Sequence, residues 1–162
     1  MAAFQIEPFE LSQKSQVLEL SLRAWDPVFA KLKPAVQDYV YDAFYPKGWR
    51  VRQASDIEQF LENEGDHVWV AIEAASVLGW VGIRLHLEDR MGEIYILAVD
   101  PSHQRRGIGV ALIDFAMERM RQSGMEIVMV ETGDDPGHSA SRATYEHAGF
   151  ERWSVARYFR KL

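Results

Sequence analysis

Six consecutive residues, Gln104-Arg105-Arg106-Gly107-Ile108-Gly109, stand where an apolar strand-like run gives way to a helix-like pattern. Glycines at such a junction let backbone N–H groups approach an anion closely, and the helix N-terminus adds a partial positive charge. Arg105 and Arg106 add two formal charges beside it. The motif predicts a phosphate or pyrophosphate site, and a purely structural strand-to-helix turn is the alternative.

Two familiar phosphate-binding loops do not match this motif. A P-loop would end in Gly-Lys-Ser/Thr, which is missing, and a dinucleotide fingerprint would need a third small residue where Leu112 stands. The residue types alone therefore predict an anion without identifying the molecule that carries it.

The segments around the motif predict the elements that hold it in place. Three runs rich in β-branched and aromatic residues, Val68–Ile72, Leu78–Ile83 and Ile94–Val99, indicate an antiparallel meander. An amphipathic helix follows the glycines and ends at Gly124, and Ile127–Val130 is a buried strand. The other predicted elements are a strand at Phe4–Pro8, helices at Ser12–Pro27, 31–44, Ser55–Leu61 and Ser139–Ala148, and one or two strands within Phe150–Phe159. We therefore predict a single α/β domain over residues 1–162, with a mixed sheet and helices on both faces.

Composition narrows the class of protein. The chain has 162 residues, of which 48% are apolar and 26% charged, as in a folded globular domain. A net charge of −6 argues against a nucleic-acid partner, and the lack of cysteine excludes thiolate nucleophiles and cysteine metal sites. No apolar run approaches the roughly 20 residues of a membrane span, and residues 1–10 lack a signal-peptide pattern. We expect a cytoplasmic protein without a metal or a membrane partner.

Two segments together resemble the GNAT superfamily of N-acetyltransferases. The first is Glu93–Pro101 followed by Gln104-x-x-Gly107-x-Gly109, and the second is Tyr145-Glu146-His147-Ala148-Gly149-Phe150, which is similar to the family's Tyr-x-x-x-Gly-Phe. The resemblance covers roughly Val68–Leu162, and the earlier part matches only in its strand–helix–helix layout. It implies a mostly antiparallel central sheet that splays into a V between strands 4 and 5, with helices on both faces.

The resemblance implies that acetyl-CoA is the co-substrate. In this family the pyrophosphate rests on backbone amides of the signature loop, and the pantetheine arm pairs with the exposed backbone of the preceding strand. The residues it assigns to acetyl-CoA are Leu97, Ala98, Val99, Gln104, Arg105, Arg106, Gly107, Ile108, Gly109 and Val110. His138 and Ser141 stand where the family often has asparagine and alanine, so their pantetheine contact is a weaker expectation. Arg142 is expected to be solvated rather than to reach the 3′-phosphate.

The resemblance also implies direct transfer, in which an amine attacks the thioester and a thiolate leaves. Tyr145 stands at the position of the family's general acid, with a core aromatic as the alternative. Glu93 stands where the histone acetyltransferase branch keeps its catalytic glutamate, with a solvated strand start as the alternative. Other candidates for the base are His86, Glu131 and Asp134, and some family members use a water chain instead.

The acceptor is less well defined. Trp25 and Phe29 are predicted substrate contacts, with packing of the first helix as the alternative, and Asp134 lies in a turn-rich loop near the predicted site. Aromatic and acidic side chains in these regions would suit a cationic amine. We expect a small-molecule amine, while a protein lysine stays open. The competing hypothesis is an inactive CoA-binding regulatory or assembly module, and the presence of Tyr145 favours an enzyme. Val155, Tyr158 and Phe159 would permit a homodimer through a C-terminal strand.

Overall fold

The computed structural model describes residues 3–162, and a five-stranded sheet lies at its centre. The strands follow one another across the sheet in chain order: β1 Gln5–Pro8, β2 Val68–Glu73, β3 Ser76–His86, β4 Met91–Val99 and β5 Ile127–Val130. The first four pair antiparallel, and β5 joins β4 in parallel. The predicted α/β fold with a mixed, mostly antiparallel sheet is confirmed.

Helices cover both faces of this sheet. They are α1 Lys14–Leu32, α2 Asp38–Phe44, α3 Trp49–Glu64, α4 Ile108–Gln122 and α5 Ser139–His147. Buried side chains of α1 and α3 pack with Trp80 in one cluster, whereas those of α4 pack with Ile83 and Ile94 in a second. Neighbouring residues of a strand point to opposite faces, so the sheet separates two apolar cores. Among residues 3–162, no helix has the length and apolar character that crossing a bilayer requires.

Two helices are longer than the sequence pattern predicted. The first was expected to end at Asp26-Pro27, but α1 continues through Pro27 to Leu32. The third was expected to begin at Ser55, but α3 begins at Trp49. The ring of Trp49 stacks on that of Phe29 in the last turns of α1, with centroids 4.4 Å apart. This tertiary contact stabilises both extensions and outweighs the local break signal of the proline.

The predicted C-terminal strands within Phe150–Phe159 are wrong, because residues 151–162 form no strand. Trp153, Val155 and Tyr158 are exposed, and Phe159 makes an edge contact with Phe44 at the end of α2. Apolar alternation favours a strand only where a neighbouring strand supplies hydrogen bonds. The homodimer through this segment stays a prediction.

The sheet opens between β4 and β5. Only Met91–Ile94 of β4 pairs with β5, so the stretch from Tyr95 to Val99 has no partner on that side. On the other side, the register shifts between the pairs Gly82–Ile96 and Ile83–Ile94, which leaves Tyr95 as an extra residue in β4. A bulge bends and twists its strand. The bend turns β4 away from β5, which confirms the predicted V-shaped splay.

Candidate functional site

A cavity of about 230 Å³ occupies the wedge between the two diverging strands. β4 contributes Tyr95 and Leu97, and the chain just beyond β5 contributes Glu131 and Thr132. The rest of the wall comes from the surrounding helices: Trp25 in α1, Gln53, Asp56 and Ile57 in α3, and Ser141 and Tyr145 in α5, with His138 immediately before α5. The splay of the sheet therefore creates a space that five separate parts of the chain enclose.

The N-terminus of α4 is open to an anion. The first hydrogen bond inside this helix runs from the Ala111 N–H to the Gly107 carbonyl, at 3.0 Å. The N–H groups of residues 108–110 therefore have no acceptor within the helix, and no side chain caps it. Gly107 has a φ of +79°, a left-handed conformation that glycine adopts without steric cost. A helix start of this kind can accept an anion, and the anion site itself stays a prediction.

Asp100 fixes the turn that leads from β4 into this loop. Its side chain is buried and accepts hydrogen bonds from the Ser102 N–H at 2.9 Å, the Ser102 hydroxyl at 2.6 Å and Arg23 Nη2 at 2.5 Å. Burial by itself would raise the pKa of this carboxyl group, but the bonds from Ser102 and Arg23 outweigh it and lower the pKa from 3.8 to about 2. A charged Asp100 thus ties the loop to α1.

The two arginines of the loop differ in their surroundings. Arg106 Nη2 lies 2.8 Å from Glu73 Oε1, and its hydrogen bond lowers the pKa of that carboxyl group. Arg105 is exposed, has a φ of +61° and has no ion-pair partner among residues 3–162. The charge of Arg105 is therefore free to act on a ligand. Gln104 turns back to donate from Nε2 to the Val99 carbonyl at 3.3 Å.

Tyr145 projects from α5 into the cavity wall. Its ring packs edge-on against Phe150, with centroids 5.7 Å apart, and the Phe150 N–H donates to the Tyr145 carbonyl at 3.0 Å. Burial raises the pKa of the phenol from 10.0 to about 12. The hydroxyl group is therefore protonated at neutral pH and can donate a hydrogen bond or a proton.

Glu93 lies outside the cavity. Its Oε2 is 2.7 Å from His86 Nε2, so two of the predicted base candidates are paired with each other. The carboxylates that do line the cavity are Asp56, which accepts from Arg52 Nε at 3.0 Å, and Glu131, which lies 3.7 Å from Arg157 Nη2. Among residues 3–162, no group of three or more His, Cys, Asp or Glu residues is placed to hold a metal ion.

The structure separates the three predicted acceptor contacts. Trp25 lines the cavity, whereas Phe29 is 6% exposed and stacks on Trp49 in the core. Asp134 is exposed and pairs with Arg152. Of the residues assigned to acetyl-CoA, Leu97, His138 and Ser141 line the cavity, whereas the side chains of Ala98 and Ile108 are buried in the two apolar cores. For Ala98 and Ile108, only the backbone is placed to meet a ligand.

Two positions differ from the sequence-based interpretation. Arg142 was expected to be solvated, but its Nη1 donates to the carbonyls of Gly133 at 2.7 Å and Asp135 at 2.8 Å. Asp56 was expected at the start of the helix predicted from Ser55, but because α3 begins at Trp49 it lies inside the helix and lines the cavity. Asp56 and Ile57 follow Gln53 by three and four residues, so both lie on the same helix face as Gln53. With a helix that begins at Trp49, that spacing would have predicted a helix face in the cavity wall.

The amino-acid sequence is similar to those of known acetyltransferases. A model of the Acetyltransferase (GNAT) family matches residues 35–150. A curated mycothiol acetyltransferase from Mycobacteroides abscessus is 31% identical over 106 residues, which are 64% of this chain and 35% of the relative. The chain spans only about a fifth to a third of the length of the curated relatives it matches.

Solved structures share the fold. The PaiA N-acetyltransferase from Thermoplasma acidophilum, in complex with coenzyme A, superposes with a TM-score of 0.69 at 15% identity, over 94% of this chain and 92% of that one. An aminoglycoside N-acetyltransferase in complex with CoA superposes with a TM-score of 0.64 at 17% identity, over 98% of this chain and 94% of that one.

Proposed function

Because this chain belongs to the GNAT acetyltransferase family, we propose that it transfers an acetyl group from acetyl-CoA to a primary amine by direct attack in a ternary complex. One observation carries the proposal: the unpaired edge of β4 borders a cavity whose wall holds a protonated tyrosine, and the uncapped N-terminus of α4 lies a few residues beyond the end of that strand. We also propose a cytoplasmic location, because acetyl-CoA is supplied there.

The donor would bind along the open side of β4. The N–H groups of residues 108–110 and the charge of Arg105 would hold the pyrophosphate, as expected at a helix N-terminus. The backbone from Tyr95 to Val99 lacks a partner on β5, so it can accept the amide-containing pantetheine arm in the manner of an added strand. These contacts would direct the thioester into the cavity that Tyr145 lines.

Tyr145 would act on the departing sulfur. Its pKa of about 12 keeps the phenol protonated throughout the physiological range, so it can always donate to the charge that develops on sulfur. Burial that weakens the phenol as an acid also raises the proton affinity of a thiolate in the same cavity. Proton transfer from Tyr145 to sulfur is therefore supported by their shared, partly buried surroundings.

Proton removal from the amine needs a second group or a path to water. Glu93 stays a prediction for this role, and because its carboxylate lies outside the cavity it would act only through an intervening water. Water-mediated proton transfer is compatible with general base catalysis.

A small-molecule amine fits the acceptor side best. Trp25 offers an aromatic face, and Asp56 and Glu131 offer carboxylates, in a cavity of about 230 Å³. A cation is stabilised by such a combination. The similar mycothiol acetyltransferase and the aminoglycoside N-acetyltransferase with the same fold support a small-molecule acceptor.

The test is release of free thiol from acetyl-CoA in the presence of monoamines, polyamines, amino sugars and lysine peptides, with mass spectrometry of the acceptor. We expect turnover with at least one small primary amine and none with acetyl-CoA alone. Clear CoA binding together with no turnover on the whole panel would contradict the proposal and favour the non-catalytic CoA-binding module.

A further inference from the structure

We propose that His138, held in place by Asp135, is the general base that takes a proton from the acceptor amine. The inference rests on the acetyl transfer proposed above and adds a catalytic role that the sequence resemblance did not suggest. It starts from an imidazole–carboxylate pair in the loop between β5 and α5.

The pair is well defined. His138 Nδ1 lies 2.6 Å from Asp135 Oδ2, and the other carboxylate oxygen, Oδ1, accepts from the Gly137 N–H at 2.9 Å. Both side chains are mostly buried, at 22% exposure for His138 and 12% for Asp135. A carboxylate can only accept, so Nδ1 carries the hydrogen. In the neutral ring, Nε2 then holds the lone pair that can accept a proton.

The loop is shaped around this pair. A Cβ atom at Gly133 would lie 2.3 Å from Asp135 Oδ2 and 3.2 Å from His138 Nδ1. A Cβ atom at Gly137 would lie 2.4 Å from the Val28 carbonyl in α1. Arg142 bonds the carbonyls of Gly133 and Asp135 and so clamps the turn from the other side. The close approach of backbone to side chain at both glycines leaves little freedom for the imidazole to move.

The His138 imidazole lies in the wall of the cavity. Ser141 and Tyr145 are four residues apart on one face of α5, and both line the cavity together with His138, which precedes the helix. Within residues 3–162, His138 Nε2 has no hydrogen-bond partner. The other ionisable groups of the cavity wall are Asp56 from α3, Glu131 beyond β5 and Tyr145 from α5, and α1 contributes the uncharged Trp25. A proton acceptor and a proton donor thus share one wall of the site.

His138 Nε2 takes one proton from the ammonium form of the acceptor and later releases it to solvent. The freed nitrogen lone pair forms the C–N bond, the C–S bond breaks with its electron pair on sulfur, and Tyr145 gives its phenolic proton to that sulfur. The second proton leaves the nitrogen and returns, through water, to the Tyr145 oxygen, so that one proton is released in total. Asp135 acts as a positioning residue, because it fixes the tautomer and stabilises the imidazolium.

The test compares H138N, H138A, D135N and E93Q with the wild-type protein on an amine found active in the panel. We expect kcat to fall roughly 10²–10⁴-fold in both His138 variants, with an unchanged Kd for acetyl-CoA. Added imidazole should restore part of the turnover of H138A only. D135N should lower kcat and shift the acidic limb of the profile of kcat against pH. E93Q should leave that limb at its wild-type position.

Each alternative outcome has its own meaning. If H138N keeps wild-type kcat, or loses only acetyl-CoA affinity, the base assignment is overturned and a pantetheine contact takes its place. If E93Q alone abolishes turnover, the base is Glu93. If H138A does not fold, the base assignment is judged from kcat and from the acidic limb of the pH profile in H138N and D135N. If the wild-type protein binds CoA but shows no turnover, the proposed function is overturned as well. An inactive H138N beside an active wild-type protein leaves the proposed function intact.

Discussion

Arg23 in α1 and Asp100 at the end of β4 lie 77 residues apart in the chain and meet with an Nη2–Oδ2 distance of 2.5 Å. Asp100 also accepts two hydrogen bonds from Ser102, so one carboxylate joins α1, the end of β4 and the loop before α4. The position of the predicted pyrophosphate loop relative to the acceptor side therefore depends on a charged, buried group.

Replacing Asp100 with asparagine should destabilise the protein at neutral pH by about 1–3 kcal/mol, the usual range for losing hydrogen bonds to a charged group. The folded-state pKa, about 2, lies below the ordinary 3.8. The stabilisation is therefore present above pH 3.8 and is lost as the pH falls toward 2. Denaturant unfolding from pH 7 to pH 2 measures it. The exposed Asp114→Asn is the control, and a D100N deficit that persists unchanged at pH 2 would contradict the assigned cause.

Ser21 should be required for stability because of Trp80. The buried hydroxyl accepts from Trp80 Nε1 at 2.8 Å and donates to the Val17 carbonyl at 2.6 Å. Ser21→Ala leaves the indole N–H buried without a partner, which costs about 1–3 kcal/mol. Ser15→Ala, on the exposed side of the same helix, serves as the control for helix propensity. Equal unfolding midpoints for the two variants would rule out this account.

The two ends of α4 provide a matched test of acetyl-CoA binding. Gly107 and Gly124 have φ values of +79° and +83°, and a Cβ atom at either would meet nothing within 4 Å. Alanine at either position should therefore cost a similar 1–2 kcal/mol of stability, roughly, for a left-handed residue. Only Gly107→Ala should weaken acetyl-CoA binding, about tenfold or more, which corresponds to ~1.4 kcal/mol. Calorimetric titration measures this, and equal affinity in both variants would argue against pyrophosphate at this helix end.

Tyr145→Phe should lower kcat roughly 10²–10⁴-fold, the range for removing a general acid, and leave acetyl-CoA affinity unchanged. The variant keeps the ring that packs on Phe150, so the fold should be retained. Tyr158→Phe, in the exposed C-terminal segment, is the matched control. Steady-state thiol release measures both, and wild-type turnover by Y145F would remove the assigned role.

Alkaline unfolding reports on the same phenol. Its folded-state pKa of about 12 lies above the ordinary 10.0, so the protonated form is favoured in the folded protein. Stability is therefore complete below pH 10 and falls as the pH rises toward 12. Y145F should lose less stability than the wild type over this interval, as measured by denaturant unfolding at each pH. Identical alkaline profiles would show that the phenol is not buried.

Local sequence information predicted the elements with strong periodicity and clear end signals. The strands of the meander, the helix after Gly107 and the short helix that carries Tyr145 were all found. Their apolar patterns repeat with the period of the element, and the glycines mark the ends. The extents of α1 and α3 were missed, because the stacking of Phe29 on Trp49 joins segments distant in sequence. The C-terminal strands were wrong, because apolar alternation does not supply a partner strand.

The sequence by itself determined the local features of the proposed donor side: a glycine-rich helix start with two arginines after a buried strand, and a tyrosine before Gly149-Phe150. These features depend on backbone conformation and helix charge over a few neighbouring residues, and neighbours in the chain are enough to specify them. The tertiary structure decided the rest. It placed Asp56 and Glu131 in the cavity wall, turned Glu93 toward His86, buried Phe29 and joined Asp135 to His138. Side chains from different elements meet only where packing brings those elements together, so spacing along the chain could not reveal which of them share the site.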